Sequence, residues 1–271
     1  MFGSTGMAGS MVTSYLKNRA YDVIEINRSD FNIHSTTSVL KIIETIKKEK
    51  VNFVINCIGL LVKDCQDNVT DAIQINSWFP QYLAKCLVST DIRLIHLSTD
   101  CVFDGKVGYY RENSPHTEMN FYGRSKSLGE VCNSKDLTIR TSIIGPEKKE
   151  DGIGLFHWFV NRTENKVNGF TNAHWNGITT LELSKAIEYH INDPKVTGVY
   201  HLVPATSVTK YHLLEKINYI FDLKKTVVPI ESEKSVNKIL IDSRKTFDYI
   251  VRSYETQLSE LKDYMPEYYR N

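Results

Sequence analysis

Apolar positions along the chain alternate between two periods. Between residues 8 and 19, Met11, Val12, Tyr15 and Leu16 fall at helical spacing and predict a helix. A turn at 19–22 leads to the strand-like run Val23-Ile24-Glu25-Ile26. The pattern continues with a helix over 36–48, a buried strand over 53–58 and an apolar helix over 72–88. A strand over 94–98, a helix through 125–132 and a strand over 137–140 follow. Strands alternating with helices predict βαβ units, and so an α/β fold with a doubly wound parallel sheet. Right-handed crossovers place the strand C-termini, where ligands bind, along one edge.

The pattern changes after Gly145-Pro146. Residues 147–152 form a charged loop, and the remainder is helix-rich with isolated strands. We therefore expect a main domain over 1–145 and a smaller α/β lobe over 146–271 that binds substrate. Parts of that lobe, such as Gly198-Val199-Tyr200-His201-Leu202, are expected to return to the main sheet. A lobe closing over a sheet edge makes a cleft for a small molecule.

Composition narrows the classes. Of 271 residues, 41% are hydrophobic and 24% charged, which disfavours disorder, fibres and membrane bundles. Lys and Arg number 33 against 32 Asp and Glu, so no basic surplus suggests nucleic acid or anionic lipid. No apolar stretch reaches the ~18 residues of a membrane span, and no secretory signal is evident. The five cysteines (57, 65, 86, 101 and 132) are scattered without a C-x-x-C pair. They suggest neither a disulfide framework nor a metal site, and fit reduced thiols in the cytoplasm.

Gly3-Ser4-Thr5-Gly6-Met7-Ala8-Gly9 is a glycine-rich loop opening a helix. Glycines let backbone N–H groups approach a pyrophosphate at a helix N-terminus, which makes Gly3, Gly6 and Met7 cofactor candidates. Such loops follow a strand of about five or six residues, yet only Met1-Phe2 precede this one. The expectation is that Met1 and Phe2 lie in the central strand and that the sequence begins inside it. Residues 23–26 end where an adenosine ribose would lie. Asn27 stands where an NAD-selective site carries an acid, and Arg28 can pair with a 2′-phosphate. NADP(H) is favoured, with NAD(H) left open; Asn32 and Ile33 fall near the adenine edge.

Thr99 closes the strand over 94–98, and Tyr122 and Lys126 are four residues apart on a helix, so they share a face. An ammonium beside a phenol is expected to lower the Tyr122 pKa toward working pH, while Thr99 binds the same substrate oxygen. That combination reads as a reductase site.

On these residues the chain resembles the extended short-chain dehydrogenase/reductases, and within them the dTDP-4-dehydrorhamnose reductase group. The pieces are G-S-T-G-M-A-G, I-N-C-I-G, I-Q-I-N, S-T-D-C-V-F-D-G, Y-G-R-S-K-S-L-G-E, I-R-T-S and G-V-Y-H-L, over about residues 1–205. The resemblance implies a Rossmann sheet and NADPH-dependent reduction of the 4-keto group of a nucleotide-linked 4-keto-6-deoxyhexose, in polysaccharide precursor synthesis. It implies that Tyr122 gives a proton to O4, that Lys126 lowers its pKa and holds the nicotinamide ribose, and that Thr99 polarises the carbonyl. Cys57, Ile58, Gly59, Asn76 and Ser142 would border the cofactor. Asp100, Cys101, Ile143, Trp175, Gly177 and Thr179 would border the sugar nucleotide, with Trp175 able to stack on a ring. A homodimer is compatible with the group.

Two departures stand out. Cys101 and Ile143 occupy positions where the group usually has Tyr and Trp, which implies room for a bulkier substituent such as an acetamido group. Cys101 also matches the cysteine of GDP-fucose synthase, so a Cys101–His157 pair acting as a 3,5-epimerase is one alternative. Another is a non-catalytic NADP-binding subunit like the regulatory subunit of methionine adenosyltransferase.

Overall fold

The computed structural model describes residues 1–149 and 152–270. Its first helix rises directly from the glycine loop: α1 (Met7–Asn18) buries Ala8, Met11, Val12 and Leu16 along one side. The Ser35 side chain caps α2 (Thr36–Lys48) by accepting from Ser38 N, and the helix buries Val39, Ile43 and Ile46. Next come β1 (Phe53–Asn56), α3 (Val62–Asp67), α4 (Val69–Ala72), a π-helical stretch (Ile73–Trp78) and α5 (Phe79–Leu87). The single helix expected over 72–88 is thus interrupted. β2 (Arg93–Thr99), α6 (Phe121–Gly129) and β3 (Leu137–Thr141) follow, with α6 stopping before the expected 132.

The later half contains β4 (Ile143–Ile144), α7 (Leu155–Asn161), β5 (Lys166–Phe170), β6 (Ala173–Trp175), β7 (Ile178–Thr179) and α8 (Thr180–Asn192). It ends with β8 (Gly198–His201), β9 (Val208–Thr209), α9 (Lys210–Phe221), β10 (Thr226–Ile230), β11 (Val236–Asn237) and α10 (Tyr254–Arg270).

β1, β2, β3 and β8 pair in that order, all parallel. Phe2 bridges both Ile26 and Asn56 in parallel, which extends the order to Ile26, Phe2, β1, β2, β3, β8. Met1 and Phe2 therefore lie inside the parallel sheet, as expected. The expected strand over 23–26 is reduced to one bridge at Ile26. The chain leaves Phe2 toward Ile26 on one side and returns as β1 on the other. That reversal is the switch point at which α/β sheets bind ligands, and the glycine loop occupies it.

Successive strand residues face opposite layers, and both layers are apolar. Val54 and Leu94 join Phe2, Ile26, Val39 and Phe79 under α2 and α5. Ile55, Ile95 and Ile139 join Val12, Leu16, Leu183 and Ile187 under α1 and α8. The return to the main sheet is larger than β8 alone, since α8 also covers it. A separate core (Phe156, Phe159, Leu213, Ile217, Leu258 and Leu261) unites α7, α9 and α10 around the β5–β10 pair. The tyrosines of α10 tie this core to α1: Tyr268 Oη lies 2.7 Å from Ser10 Oγ and Tyr264 Oη 3.2 Å from Ser14 Oγ. Among the described residues no helix is long and apolar enough to cross a membrane.

Candidate active site

Gly3 has φ +75°, and a Cβ on it would lie 3.1 Å from Ile58 N. A Cβ on Gly9 would lie 2.1 Å from Gly3 O, so α1 can press against its own loop only with glycine there. At Gly6 a Cβ would meet nothing closer than 3.5 Å, which leaves open space in front of the loop. α1 begins without a side-chain cap and without an acid in its first turn. Unpaired N–H groups and the positive end of the helix dipole then favour an anion, and the cradle fits a dinucleotide pyrophosphate. Met7 is half-buried beneath the loop over 152–154.

At the end of the neighbouring segment, Ser4 Oγ donates to Asn27 Oδ1 at 2.7 Å, and Arg28 is exposed. Asn32 N donates to Ser38 Oγ, and Ile33 O accepts from Gln74 Nε2. These residues line one continuous edge from the glycine loop outward. Gly59 sits across from it, where a Cβ would lie 3.4 Å from Asn76 Oδ1 and 3.9 Å from Lys126 Nζ. Cys57 and Ile58 are half-buried beside it, and burial pushes the Cys57 thiol up to about 12.

The reaction centre forms where α6 meets the end of β2. Asn120 caps α6 by accepting from Gly123 N at 2.8 Å. A Cβ on Gly123 would lie 2.3 Å from Cys101 O, so the first turn of α6 is pressed against the turn after β2. Tyr122 and Thr99 meet there. Burial raises the Tyr122 phenol above its ordinary 10, with Cys101 and Asp100 adding to the rise and hydrogen bonding to Thr99 opposing it. Thr99 Oγ1 also accepts from Cys101 N at 3.1 Å and lies 3.2 Å from Asp100 Oδ1.

Two expectations are corrected here. Lys126 Nζ donates to Leu97 O at 2.7 Å, and burial lowers its own pKa to about 8, with Glu130 opposing. The phenol is thus raised, chiefly by burial, against the expectation that Lys126 lowers it. Asn76 is fully buried, with Oδ1 accepting from Leu60 N at 2.8 Å and Nδ2 donating to Ser125 Oγ at 3.1 Å. It fixes the loop after β1 against α6 from behind, and the π-helical stretch is what turns it inward.

The substrate side is corrected further. Trp175 is 3% exposed, its Nε1 donates to Ser142 Oγ at 2.8 Å, and its ring lies against Lys210 and Tyr254. It therefore offers no free face for stacking. Thr179 is buried and caps α8 by accepting from Glu182 N at 3.1 Å. Gly177 is required by packing, since a Cβ would lie 2.2 Å from Ser142 O. Ile143 is half-buried and pairs with Ile178. Burial and the Asp100 carboxylate push the Cys101 thiol up to about 12, with Lys238 opposing. A thiol held protonated is the reverse of what a carbon-acid base needs. His157 lies on α7 against Gly152, while the groups that set the Cys101 thiol are Asp100, Lys238 and Thr99.

Two features lie outside the expected site residues. Glu130 accepts from Arg140 Nε at 2.8 Å and from Ser98 Oγ at 2.6 Å behind the candidate reaction centre. Lys210 and Lys238 approach Asp100 from the second half of the chain, and no local signal marks either.

The RmlD substrate binding domain family matches residues 1–240. The "Probable low-salt glycan biosynthesis reductase Agl14" of Haloferax volcanii is 29% identical over 239 residues, covering 79% of this chain and 77% of that protein. A dTDP-4-dehydrorhamnose reductase of Aggregatibacter actinomycetemcomitans is 32% identical over 148 residues, covering 51% of this chain and 49% of that one. The structure of a dTDP-4-dehydrorhamnose reductase from Bacillus anthracis in complex with NADP superposes with a TM-score of 0.84 at 20% identity, over 97% of each chain.

Proposed function

Because the chain belongs to the RmlD substrate binding domain family, we propose that it is an NADPH-dependent reductase of the 4-keto group of a nucleotide-linked 4-keto-6-deoxyhexose. The observation that carries this reading is the meeting of Tyr122 and Thr99 at the C-terminal end of β2, on the same sheet edge as the uncapped glycine loop. The reductases among the relatives support it.

In this reading residues 1–145 hold the cofactor and residues 146–271 provide the substrate side. Gly3, Gly6 and the first N–H groups of α1 would hold the pyrophosphate, Arg28 would meet the 2′-phosphate, and Lys126 beside Gly59 would hold the nicotinamide ribose. When bound, the nicotinamide supplies hydride to C4. Tyr122, whose phenol is raised and therefore protonated at neutral pH, delivers a proton to the developing O4 alkoxide. Thr99 holds that oxygen in line with the phenol. The five free thiols fit a cytoplasmic enzyme.

The test is NADPH oxidation by purified protein with dTDP-, UDP- and GDP-linked 4-keto-6-deoxyhexoses, with Tyr122→Phe as control. Turnover by the natural chain and its loss in the variant, with NADPH binding retained in both, is the expected result. Binding of NADPH without turnover of any of them would overturn the reading in favour of a regulatory subunit.

A further inference from the structure

Thr99 has a single hydroxyl proton, and more than one neighbour competes for it. Its Oγ1 accepts from Cys101 N at 3.1 Å, which occupies one of its two lone pairs. The same oxygen lies 3.2 Å from Asp100 Oδ1 and is hydrogen-bonded to the Tyr122 phenol. The Cys101 thiol also neighbours it, but sulfur is too weak a donor or acceptor to decide where the proton goes. The turn that carries this cluster is fixed on two sides. Phe103 N donates to Asp100 O at 3.0 Å, and α6 presses on Cys101 O through Gly123. Asp100 is thereby held beside Thr99, 5% exposed.

The two charge states of Asp100 give opposite outcomes. A carboxylate only accepts, so the Thr99 proton then points at Asp100. The remaining Thr99 lone pair draws the Tyr122 proton, and neither group donates to a substrate oxygen. A neutral acid donates to that lone pair instead. The Thr99 proton is released toward the cleft, and Tyr122, with no acceptor left on Thr99, turns its proton there too. Only this state offers two donors to an oxygen that gathers charge during reduction.

The surroundings of the carboxyl favour the neutral state. Burial disfavours its charge and outweighs Lys238, from the segment after β11, and Lys210, from the start of α9, so the carboxyl is pushed up. From α6 it faces the Tyr122 phenol, and on its own turn the Cys101 thiol, both held protonated. A keto sugar seated on Thr99 would add to the burial.

We propose that Asp100 is a positioning residue whose neutral, protonated form turns the Thr99 hydroxyl into the cleft, so that Thr99 and Tyr122 both donate to the substrate oxygen. The proposal rests on the reductase reading and adds to it a required protonation state. Asp100 gains and loses nothing over the reaction; the proton that reaches O4 still leaves Tyr122.

The experiment measures kcat against pH with NADPH and the dTDP-, UDP- and GDP-linked 4-keto-6-deoxyhexoses, for the natural chain, Asp100→Asn and Thr99→Val. Asparagine keeps a donor to Thr99 but cannot ionise. In the natural chain kcat should fall by up to about a hundredfold as rising pH ionises Asp100, the effect of losing one oxyanion donor. Asp100→Asn should lack that fall and keep only the one set by Lys126, which is lowered to about 8. Thr99→Val should lower kcat about a hundredfold and remove the same limb, because the acid acts through Thr99. A second readout needs no turnover. In protein labelled with carbon-13 at aspartate carboxyls, the signal missing from Asp100→Asn should titrate above the ordinary ~3.9. A kcat that rises as Asp100 ionises, the same limb in the natural chain and Asp100→Asn, or a titration at or below ~3.9 overturns the proposal. A raised titration without turnover of any sugar would remove the reductase reading and the catalytic role with it, while upholding the neutral Asp100–Thr99 pair.

Discussion

Replacing Arg140 by Met tests whether the buried charge network behind the reaction centre holds the sheet edge in place. Arg140 is 1% exposed and donates from Nε to Glu130 Oε1 at 2.8 Å and from Nη2 to Glu130 Oε2 at 2.5 Å. It also lies 2.7 Å from His201 Nε2 and 2.8 Å from His116 Nε2, and covers the Phe103 ring. Methionine keeps the apolar contact with Phe103 but leaves the Glu130 carboxylate, 5% exposed, without its guanidinium partner, facing Ser98 Oγ, His116 and Lys126 among the described residues. Breaking a buried pair from one side costs about 3–5 kcal/mol. At about 2–4 °C per kcal/mol for a chain of this size, the melting temperature should fall by roughly 6–20 °C. The sign of the pH effect follows from the same contacts. In the native chain the guanidinium outweighs burial and holds Glu130 below its ordinary range. Without it burial is opposed only in part, by the Ser98 hydrogen bond and the His116 and Lys126 charges, so Glu130 takes up a proton more readily and the cost of the substitution shrinks as pH falls. Urea unfolding followed by circular dichroism at about pH 7.5 and about pH 5.5 measures both. A loss below about 1 kcal/mol at the higher pH, or a loss indifferent to pH, would refute this account of the network.

Gly9→Ala should weaken NADPH binding tenfold or more, because its methyl would sit 2.1 Å from Gly3 O and must displace the loop; unchanged affinity by fluorescence titration contradicts the cradle. Arg28→Ala should raise the Kd for NADPH and leave that for NADH unchanged, and an equal change in both would remove Arg28 from the 2′-phosphate. Burial holds His190 down to about 4 and, together with the Arg140 charge, depresses His201. Both are neutral when folded and protonate more readily when unfolded. Their contribution is therefore full above pH 6.5 and lost as pH falls toward 4, by up to about 3 kcal/mol for His190. His190→Gln should flatten that acid limb in denaturation curves, and an unchanged limb would locate the loss elsewhere.

What could be read from the chain, and what could not, divides by the distance over which each contact acts. The periodicities of α1, α2, β1, β2 and β3 are local, and each element lies within a residue or two of its expected bounds. The candidate catalytic group is legible for the same reason: Tyr122 and Lys126 share one helix, and Thr99 ends the strand that helix packs against. The π-helical break is hidden because apolar spacing runs on through it, while the partners of Asn76 within it, Leu60 and Ser125, lie far along the chain. Trp175 and Thr179 lie in the expected stretch, yet whether a side chain faces the cleft or the core depends on α8, α9 and α10. Lys210 and Lys238 are the extreme case, each isolated in sequence and given meaning only by Asp100 from the other half of the chain. The candidate residues for the proposed reduction can therefore be read from one short run of the chain. The candidate substrate side is placed instead by contacts between distant parts of the chain, as the burial of Trp175 and Thr179 shows.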